Sequence, residues 1–291
     1  MYSAIAANKR NTVLIMIVFI AFIALLGWAA SLYFDQPLLT PWIVGGAGVY
    51  ALIQYFAAAK LATAMTGAKE IKKSDNPRLW RIVENLAIAN GMQTPKIYII
   101  NDPAPNAFAT GRDPKHAIVA ASTGLLDIMN DQELEAVMAH ELGHVKNYDI
   151  RVSMIAFGLV SAIGILSDII LRMMWFGGNN RREIPPQFYI IGIIAAIIAP
   201  IVASLIQLAI SRQREYLADA TGVMTTRYPE GLASALEKLK QYGRPMQKQS
   251  SSTAHLFFSN PLKPGFLASL FSTHPPLDDR IVRIRNLEGK M

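Results

Sequence analysis

Apolar residues follow two patterns along the chain. Four stretches are almost continuously apolar, whereas the segments between them show the periods of amphipathic helices and short strands. A helix rises about 1.5 Å per residue, so a stretch of about 20 residues crosses the roughly 30 Å hydrocarbon core of a bilayer. The pattern therefore predicts four transmembrane helices, over residues 12–34, 41–59, 152–171 and 188–210.

The segment before the third span, residues 60–151, has the pattern of a mostly helical α+β unit. Its local signals predict helices from Pro77 to a stop at Gly91 and over residues 131–147, and strands over residues 96–100 and 117–121. Asn76 is the expected cap of the first helix, and Asn130 or Asp131 that of the second. The pattern of residues 106–111 fits two structures, a short edge strand or a plain hairpin.

The segment after the fourth span begins with polar, helix-forming residues. A further amphipathic helix is predicted over residues 229–242, and Gly243 stops it. Residues 244–265 are rich in Gln, Ser and Pro, which predicts a mobile loop and makes His255 an incidental residue. A mobile polar loop is also where a protease would cut its own chain.

Composition and charge indicate a membrane protein and set its orientation. Hydrophobic residues make up 52% of the chain and charged residues only 17%, a balance too apolar for an ordinary soluble domain. If the four spans alternate in direction, 25 of the 28 Lys and Arg residues fall on one side, which the positive-inside rule assigns to the cytoplasm. The net charge of +7 then follows from topology, and no nucleic-acid partner is needed to explain it. The chain has no Cys, which excludes disulfides and thiolate metal sites.

The strongest chemical signal is the run His140-Glu141-Leu142-Gly143-His144 in the predicted helix 131–147. Each helical residue advances by about 100°, so the three polar side chains fall within one arc. Two imidazoles can share a metal ion, and Glu141 lies beside the ion's open position, where it can deprotonate a water molecule. This is the His-Glu-x-x-His arrangement of zinc proteases. The alternative is a buried helix with two incidental histidines.

A catalytic zinc site needs a third protein ligand. Glu215 and Asp219 are four residues apart and would share one face of a helix. Glu215 can bind the metal, and Asp219 can accept the free N–H of a metal-bound histidine. The alternative is a solvated acidic pair among neighbouring arginines. The remaining histidines are His116, His255 and His274.

The spans and the motifs divide the chain into four units. Residues 1–59 are an N-terminal transmembrane hairpin, and residues 60–151 are the first part of a protease domain with the motif helix. Residues 152–210 are a second transmembrane hairpin, and residues 211–291 are the second part of the protease domain with Glu215.

Three other classes of protein fit parts of the pattern. A transporter with a structural zinc site would need polar groups at mid-span, and the predicted spans offer only Gln54, Gln207 and the off-centre Asp168. A membrane scaffold with an inert zinc site has no use for Glu141 and would close the fourth coordination position. A soluble nucleic-acid binder does not fit the hydropathy. Chelator-sensitive cleavage of a disordered polypeptide separates these classes from a protease.

Together these features resemble the HtpX-type heat-shock membrane metalloproteases, in the wider group that includes the CAAX prenyl endopeptidases. The likeness extends over nearly the whole chain, and four spans resemble HtpX more than the more heavily embedded prenyl endopeptidases. The motifs that carry it, besides the spans, are Asn106-Ala107-Phe108-Ala109, His140 to His144 with Asn147 after it, Glu215 to Asp219, and His274-Pro275-Pro276 with Arg280.

The resemblance implies an endopeptidase of the cell inner membrane with one zinc ion per chain. Its active site and both termini would face the cytoplasm, and its substrates would be damaged or misassembled membrane proteins. The implied ligands are His140, His144 and Glu215, with Glu141 as general base. The implied supporting residues are Asp219 and Arg280 behind the ligands, His274 near the scissile carbonyl, and Asn106, Ala107, Phe108 and Ala109 against the substrate.

Overall fold

The computed structural model describes residues 2–33, 35–155, 212–249, 251–262 and 275–287. Two long helices come first, α1 (Tyr2–Tyr33) and α2 (Leu39–Thr66), and they pack against each other. Both extend beyond the predicted spans, because polar residues with adequate helix propensity continue each helix outside its apolar stretch. The helix α2 ends at Gly67, whose φ of 72° is a left-handed conformation that glycine adopts without strain.

Many large apolar side chains of this helical pair are exposed. Val13 and Ile17 on α1 and Trp42, Leu52 and Phe56 on α2 are each more than half exposed. An apolar surface of this extent on two long helices suits contact with lipid. Within the described ranges, one helix, Thr40–Thr66, is long and apolar enough to cross a membrane. Of the third and fourth predicted spans, only residues 152–155 are described, and they are helical.

The α+β unit contains a four-stranded mixed sheet. Its strands are β1 (Lys69–Glu70), β2 (Lys96–Ile100), β3 (Ala107–Thr110) and β4 (Ile118–Ser122), in the order β1-β2-β4-β3. β2 and β4 are parallel, and the two outer strands are antiparallel to their neighbours. Of the two interpretations of residues 106–111, the edge strand is confirmed. β4 starts one residue later than predicted, because a 3₁₀ turn over Pro114–His116 places Ala117 outside the ladder.

The described residues include seven further helices. They are α3 (Pro77–Ala89), α4 (Thr123–Ile128), α5 (Asp131–Lys146), α6 (Arg212–Thr226), α7 (Pro229–Tyr242), α8 (Ser251–Ala254) and α9 (Leu277–Arg285). Asn76 caps α3 as predicted, accepting the N–H of Leu79. Asn130 caps α5 in a reciprocal capping box with Glu133.

Segments that are distant in sequence share one hydrophobic core. Helix α5 packs against α3, α6 and α7, and α7 packs against α9. The core therefore joins residues before the second predicted hairpin, such as Leu79 and Val137, to residues after it, such as Val223, Leu236 and Ile284. A second cluster joins α1 and α2 to the sheet, and it includes Phe108 and Phe257.

The prediction of a mobile polar loop over residues 244–265 is wrong for much of its described part. Met246, Leu256, Phe257 and Phe258 are buried, and Phe257 forms a β-bridge with Phe108 on the free edge of β3. The composition misled because these few apolar residues find partners on β3, α1 and α2 that the local sequence does not reveal. The exposed run Gln247–Gln249 is the part that retains the character expected of a self-cleavage site.

Candidate metal centre

The structure brings His140, His144 and Glu215 together. The two Nε2 atoms are 3.1 Å apart. The Glu215 carboxylate oxygens lie 3.5 Å from Nε2 of His144 and 3.8 Å from Nε2 of His140. One donor atom from each of the three residues lies within 4.8 Å of the others, an arrangement that can hold a metal ion. Glu215 and Asp219 are each only 3% exposed, so the interpretation as a solvated acidic pair is wrong.

Two glycines let the ligand-bearing helices approach closely. A Cβ atom added to Gly222 on α6 would lie 3.0 Å from the backbone nitrogen of His140, and one added to Gly143 on α5 would lie 3.3 Å from the carbonyl oxygen of Ala218. The contact of α5 with α6 therefore depends on small residues at both positions. Gly143 is part of the motif, but sequence reasoning gave no role to Gly222.

The Nδ1 atom of His140 points to a buried carboxylate. It lies 2.8 Å from Oδ1 of Asp219. Arg280 holds both oxygens of Asp219, with hydrogen bonds of 3.0 Å from Nε to Oδ2 and 2.7 Å from Nη2 to Oδ1. Phe258 packs its ring 4.8 Å from that of His140 and 4.8 Å from the Arg280 guanidinium. The structure thus places Asp219 behind His140 and Arg280 behind Asp219, and their roles in a metal centre stay predictions.

The Nδ1 atom of His144 points to a second buried carboxylate, which sequence reasoning missed. It lies 3.1 Å from Oδ2 of Asp149, and Oδ1 of Asp149 accepts a hydrogen bond of 2.6 Å from the side chain of Asn8. The Nε atom of Arg214 lies 3.8 Å from the same oxygen. An acidic residue just beyond the motif helix was the available signal, but nothing in the sequence pairs it with α1.

The environments of the two histidines shift their pKa values in opposite directions. Burial is the dominant effect on His140 and lowers its pKa from 6.5 to about 4, so its imidazole is neutral. Burial also acts to lower the pKa of His144, but the charge of Glu215 and the hydrogen bond and charge of Asp149 outweigh it and raise the pKa to about 9. Burial acts to raise the pKa of Asp219, and Arg280 and His140 outweigh it and hold that pKa below its usual value.

The donor set and the buried charge both fit a divalent metal ion. Two nitrogens about 2.0–2.1 Å from a tetrahedral zinc ion lie about 3.3 Å apart, close to the separation found here. With neutral imidazoles, four carboxylates face two guanidiniums, which leaves two negative charges that a divalent cation balances. The carboxylates are those of Glu141, Asp149, Glu215 and Asp219, and the guanidiniums are those of Arg214 and Arg280.

The three candidate ligands line a cleft together with Glu141. Ala109 at the end of β3 and the segment His255–Phe258 form part of its wall. Glu141 is 2% exposed, so its carboxylate is held away from bulk water beside the ligands. His255 also lines this cleft, and its Nε2 atom lies 3.0 Å from the carbonyl oxygen of Ser153. Its position in the cleft wall was not predicted.

The outer edge of β3, on the side away from β4, pairs with another segment of the chain. Asn106 donates a hydrogen bond of 2.7 Å to the carbonyl oxygen of Ser259 and accepts one of 3.0 Å from its N–H. Phe258 donates its N–H to the carbonyl oxygen of Ala107 at 2.8 Å. The side chains of Asn106, Ala107 and Phe108 are buried beneath this contact. His274, the predicted residue near the scissile carbonyl, lies outside the described residues.

Comparison with known proteins assigns the chain to a family. The model for peptidase family M48 matches residues 73–288. The chain belongs to peptidase family M48. A protein named Protease HtpX homolog from Tropheryma whipplei (strain Twist) is 56% identical over 289 residues, which cover 99% of this chain and 98% of that protein. One of the same name from Lactobacillus acidophilus is 44% identical over 298 residues, covering 99% of this chain and 100% of that protein.

One solved structure shares the fold of this chain. The crystal structure of S. mikatae Ste24p superposes with a TM-score of 0.51 at 19% identity, covering 98% of this chain and 67% of that one. At this identity the likeness concerns the fold alone. The predicted resemblance to HtpX-type proteases is confirmed, and the chain is a membrane-associated metallopeptidase.

Proposed function

We propose that this protein is a zinc-dependent endopeptidase of the cell inner membrane that cleaves damaged or misfolded membrane proteins. The observation that carries the proposal is the convergence of His140, His144 and Glu215 beside Glu141 in one cleft. Apolar helices with lipid-suited surfaces adjoin the domain that bears this cleft, which favours substrates emerging from the bilayer. The names of the relatives, both Protease HtpX homolog, support the proteolytic part of this proposal.

In the proposed mechanism one zinc ion per chain is held by His140, His144 and Glu215. The chemistry that a bound zinc ion supplies is polarisation of the peptide carbonyl and activation of a water molecule. Glu141 accepts the proton of the attacking water and passes it to the leaving amine. Asp219, fixed by Arg280, keeps the Nδ1 proton on His140 and so leaves Nε2 free to bind the metal. His274 is proposed as a donor to the developing oxyanion.

Substrate is proposed to bind as a strand added to β3, along Asn106, Ala107, Phe108 and Ala109. The contacts of this edge with Phe257, Phe258 and Ser259 mean that a substrate strand must displace that segment or bind beyond it, toward Ala109. Ala109 already lines the cleft that holds the candidate ligands. This end of β3 is therefore the proposed point of entry for the scissile bond.

The proposed topology has four spans with the active site and both termini in the cytoplasm. The protease unit is then divided into residues 60–151 and 211–291 by the second hairpin. The shared core of α3, α5, α6 and α7 supports this division, because it needs both parts on one side of the membrane. Labelling of tags at Gly177 and at the C-terminus in intact cells tests it. A tag at the C-terminus that is reached from outside the cell would refute the topology.

The catalytic proposal is tested with Glu141→Gln in the full chain purified in detergent. This variant keeps the shape of the side chain but cannot accept the proton, so we expect retained zinc and a loss of casein cleavage by a factor on the order of 100 or more. Glu215→Gln is the matched variant, for which metal content by elemental analysis should fall. Undiminished cleavage by Glu141→Gln would remove its role as base, and full zinc content in Glu215→Gln would remove that residue as a ligand.

A further inference from the structure

The second turn of helix α1 reaches the surroundings of the candidate metal centre. Asn8 is 5% exposed, and its Nδ2 atom donates to the carbonyl oxygen of Asn147 at 2.8 Å and to Oδ1 of Asp149 at 2.6 Å. Asn8 lies about one turn before residue 12, where the first predicted span begins. It therefore ties a membrane helix to the turn that follows the motif helix α5.

That turn is itself unusual. Tyr148 has a φ of 62°, a left-handed conformation that is rare for a bulky residue and costs free energy unless neighbouring contacts fix it. The turn brings Asp149 back toward the helix it has just left, so that Oδ2 lies 3.1 Å from Nδ1 of His144. Lys9 of α1 places its ammonium 4.5 Å from the ring of Tyr148. Two consecutive residues of α1 thus hold the residues of this turn.

We propose that Asn8 is a positioning residue of the metal centre. Its hydrogen bond fixes Oδ1 of Asp149, so that Oδ2 orients the imidazole of His144 and keeps the Nδ1 proton there. Metal binding then depends on the docking of the first membrane helix against the protease unit. The inference rests on the proposed function, because it requires His144 to be a metal ligand.

Without Asn8, the Asp149 carboxylate has an alternative partner. The Nε atom of Arg214 lies 3.8 Å from Oδ1, beyond good hydrogen-bond distance, and a small rotation of the carboxylate would bring the two together. That rotation would also move Oδ2 away from His144. Loss of such an outer partner of a metal-bound histidine typically weakens metal binding by about 10–100-fold.

The test measures Zn²⁺ affinity by chelator competition in the full chain in detergent. Asn8→Leu, which keeps size and removes the donor, should weaken binding on the order of tenfold. Thr12→Val is the matched control, because Thr12 is buried one turn along α1 and, among the described residues, its hydroxyl bonds only to the carbonyl oxygen of Asn8. It should leave the affinity unchanged. The visible spectrum of the Co²⁺-loaded protein should change in Asn8→Leu and not in Thr12→Val, since the ring of His144 is reoriented.

A double-mutant cycle tests whether Asn8 acts through Asp149. In Asp149→Ala, which removes the acceptor oxygens, the second substitution Asn8→Leu should add almost nothing to the loss of affinity, whereas independent effects would multiply. Multiplying losses, or native affinity and spectrum in Asn8→Leu, would overturn the proposal. If Asn8→Leu does not fold, Asn8→Gln, which moves the amide by one methylene, must weaken Zn²⁺ binding at least about threefold, and native affinity there would overturn it equally.

The two proposals can fail separately. If the native chain and His144→Ala bind Zn²⁺ equally, the metal centre itself is misassigned, and the proposed function fails with it. If His144→Ala loses Zn²⁺ while the Asn8 variants retain native affinity, the metal centre stands and the role of Asn8 alone is refuted.

Discussion

Replacing Gly222 by alanine should weaken metal binding without a matching loss of stability. Gly222 lies where α6, which carries Glu215, crosses α5, which carries both histidines. An added methyl carbon would lie 3.0 Å from the backbone nitrogen and 3.2 Å from the Cα of His140. Ordinary contact distances are near 3.5–4.0 Å, so the helices must separate by several tenths of an ångström, and backbone atoms cannot rotate away. Glu215 moves with α6, away from the imidazoles.

The expected magnitudes differ for stability and for affinity. Overpacking of a helix contact costs about 1–3 kcal/mol, and replacing glycine by alanine within a helix returns about 1 kcal/mol, so the net loss of stability is roughly 0–2 kcal/mol. A site whose ligands must be held within about 0.5 Å is more sensitive, and we expect Zn²⁺ affinity to fall on the order of tenfold or more. Chelator competition measures the affinity, and denaturant unfolding measures the stability.

Gly231→Ala is the control that makes this result decisive. A methyl group there would lie 2.9 Å from the ring of Tyr228 and 3.1 Å from the carbonyl oxygen of Gln132, at the opposite end of α5 from the histidines. The stability of Gly231→Ala should change by an amount similar to that of Gly222→Ala, while its Zn²⁺ affinity stays native. Equal affinities in Gly222→Ala and Gly231→Ala would show that the separation of α5 and α6 does not set the geometry of the metal centre.

Three further predictions concern charge. The pKa of His144 is raised to about 9 without metal, so Zn²⁺ binding at pH 7 should release about one proton, and the Zn²⁺ affinity should fall about tenfold per pH unit below 9. Calorimetry in buffers of different ionisation enthalpy measures the proton release. A proton release that is unchanged in His144→Ala would contradict this prediction. The raised pKa also stabilises the metal-free fold below pH 6.5, and that contribution is lost as pH rises through about 9. Arg280→Met, which leaves Asp219 buried without its cation, should lower the free energy of unfolding by about 3–5 kcal/mol, as denaturant unfolding measures. Arg285→Met, on the exposed face of α9, is the control and should have little effect. Similar losses of stability in the two variants would refute the assignment of a buried ion pair.

The local parts of the site could be predicted from sequence. His140, Glu141 and His144 lie within one helical turn and a half, so their spacing alone fixes their common face. Glu215 and Asp219 follow the same rule on α6. The position of β3 was predicted only as one of two possibilities, because four residues without alternation of polarity do not distinguish an edge strand from a hairpin.

The parts that could not be predicted depend on contacts between distant segments. Asn8 and Asp149 are separated by 141 positions, and no periodicity relates them. Gly222 matters only because His140 lies opposite it, and Phe257 is buried only because β3 offers it an edge. The Gln- and Ser-rich composition around Phe257 describes the average residue of that segment, whereas its packing is decided by a few apolar side chains.

The carboxylates behind the two histidines are held by residues of different helices. Asp219 behind His140 is fixed by Arg280 of α9, near the end of the chain. Asp149 behind His144 is fixed by Asn8 of α1, at its beginning. A change that disturbs α9 should therefore reorient His140 first, and one that disturbs α1 should reorient His144 first. Since both imidazoles must point at one ion, the proposed metal centre should bind Zn²⁺ more weakly when either α1 or α9 is undocked, and a polypeptide whose helix α1 is not yet in place should have about tenfold lower Zn²⁺ affinity.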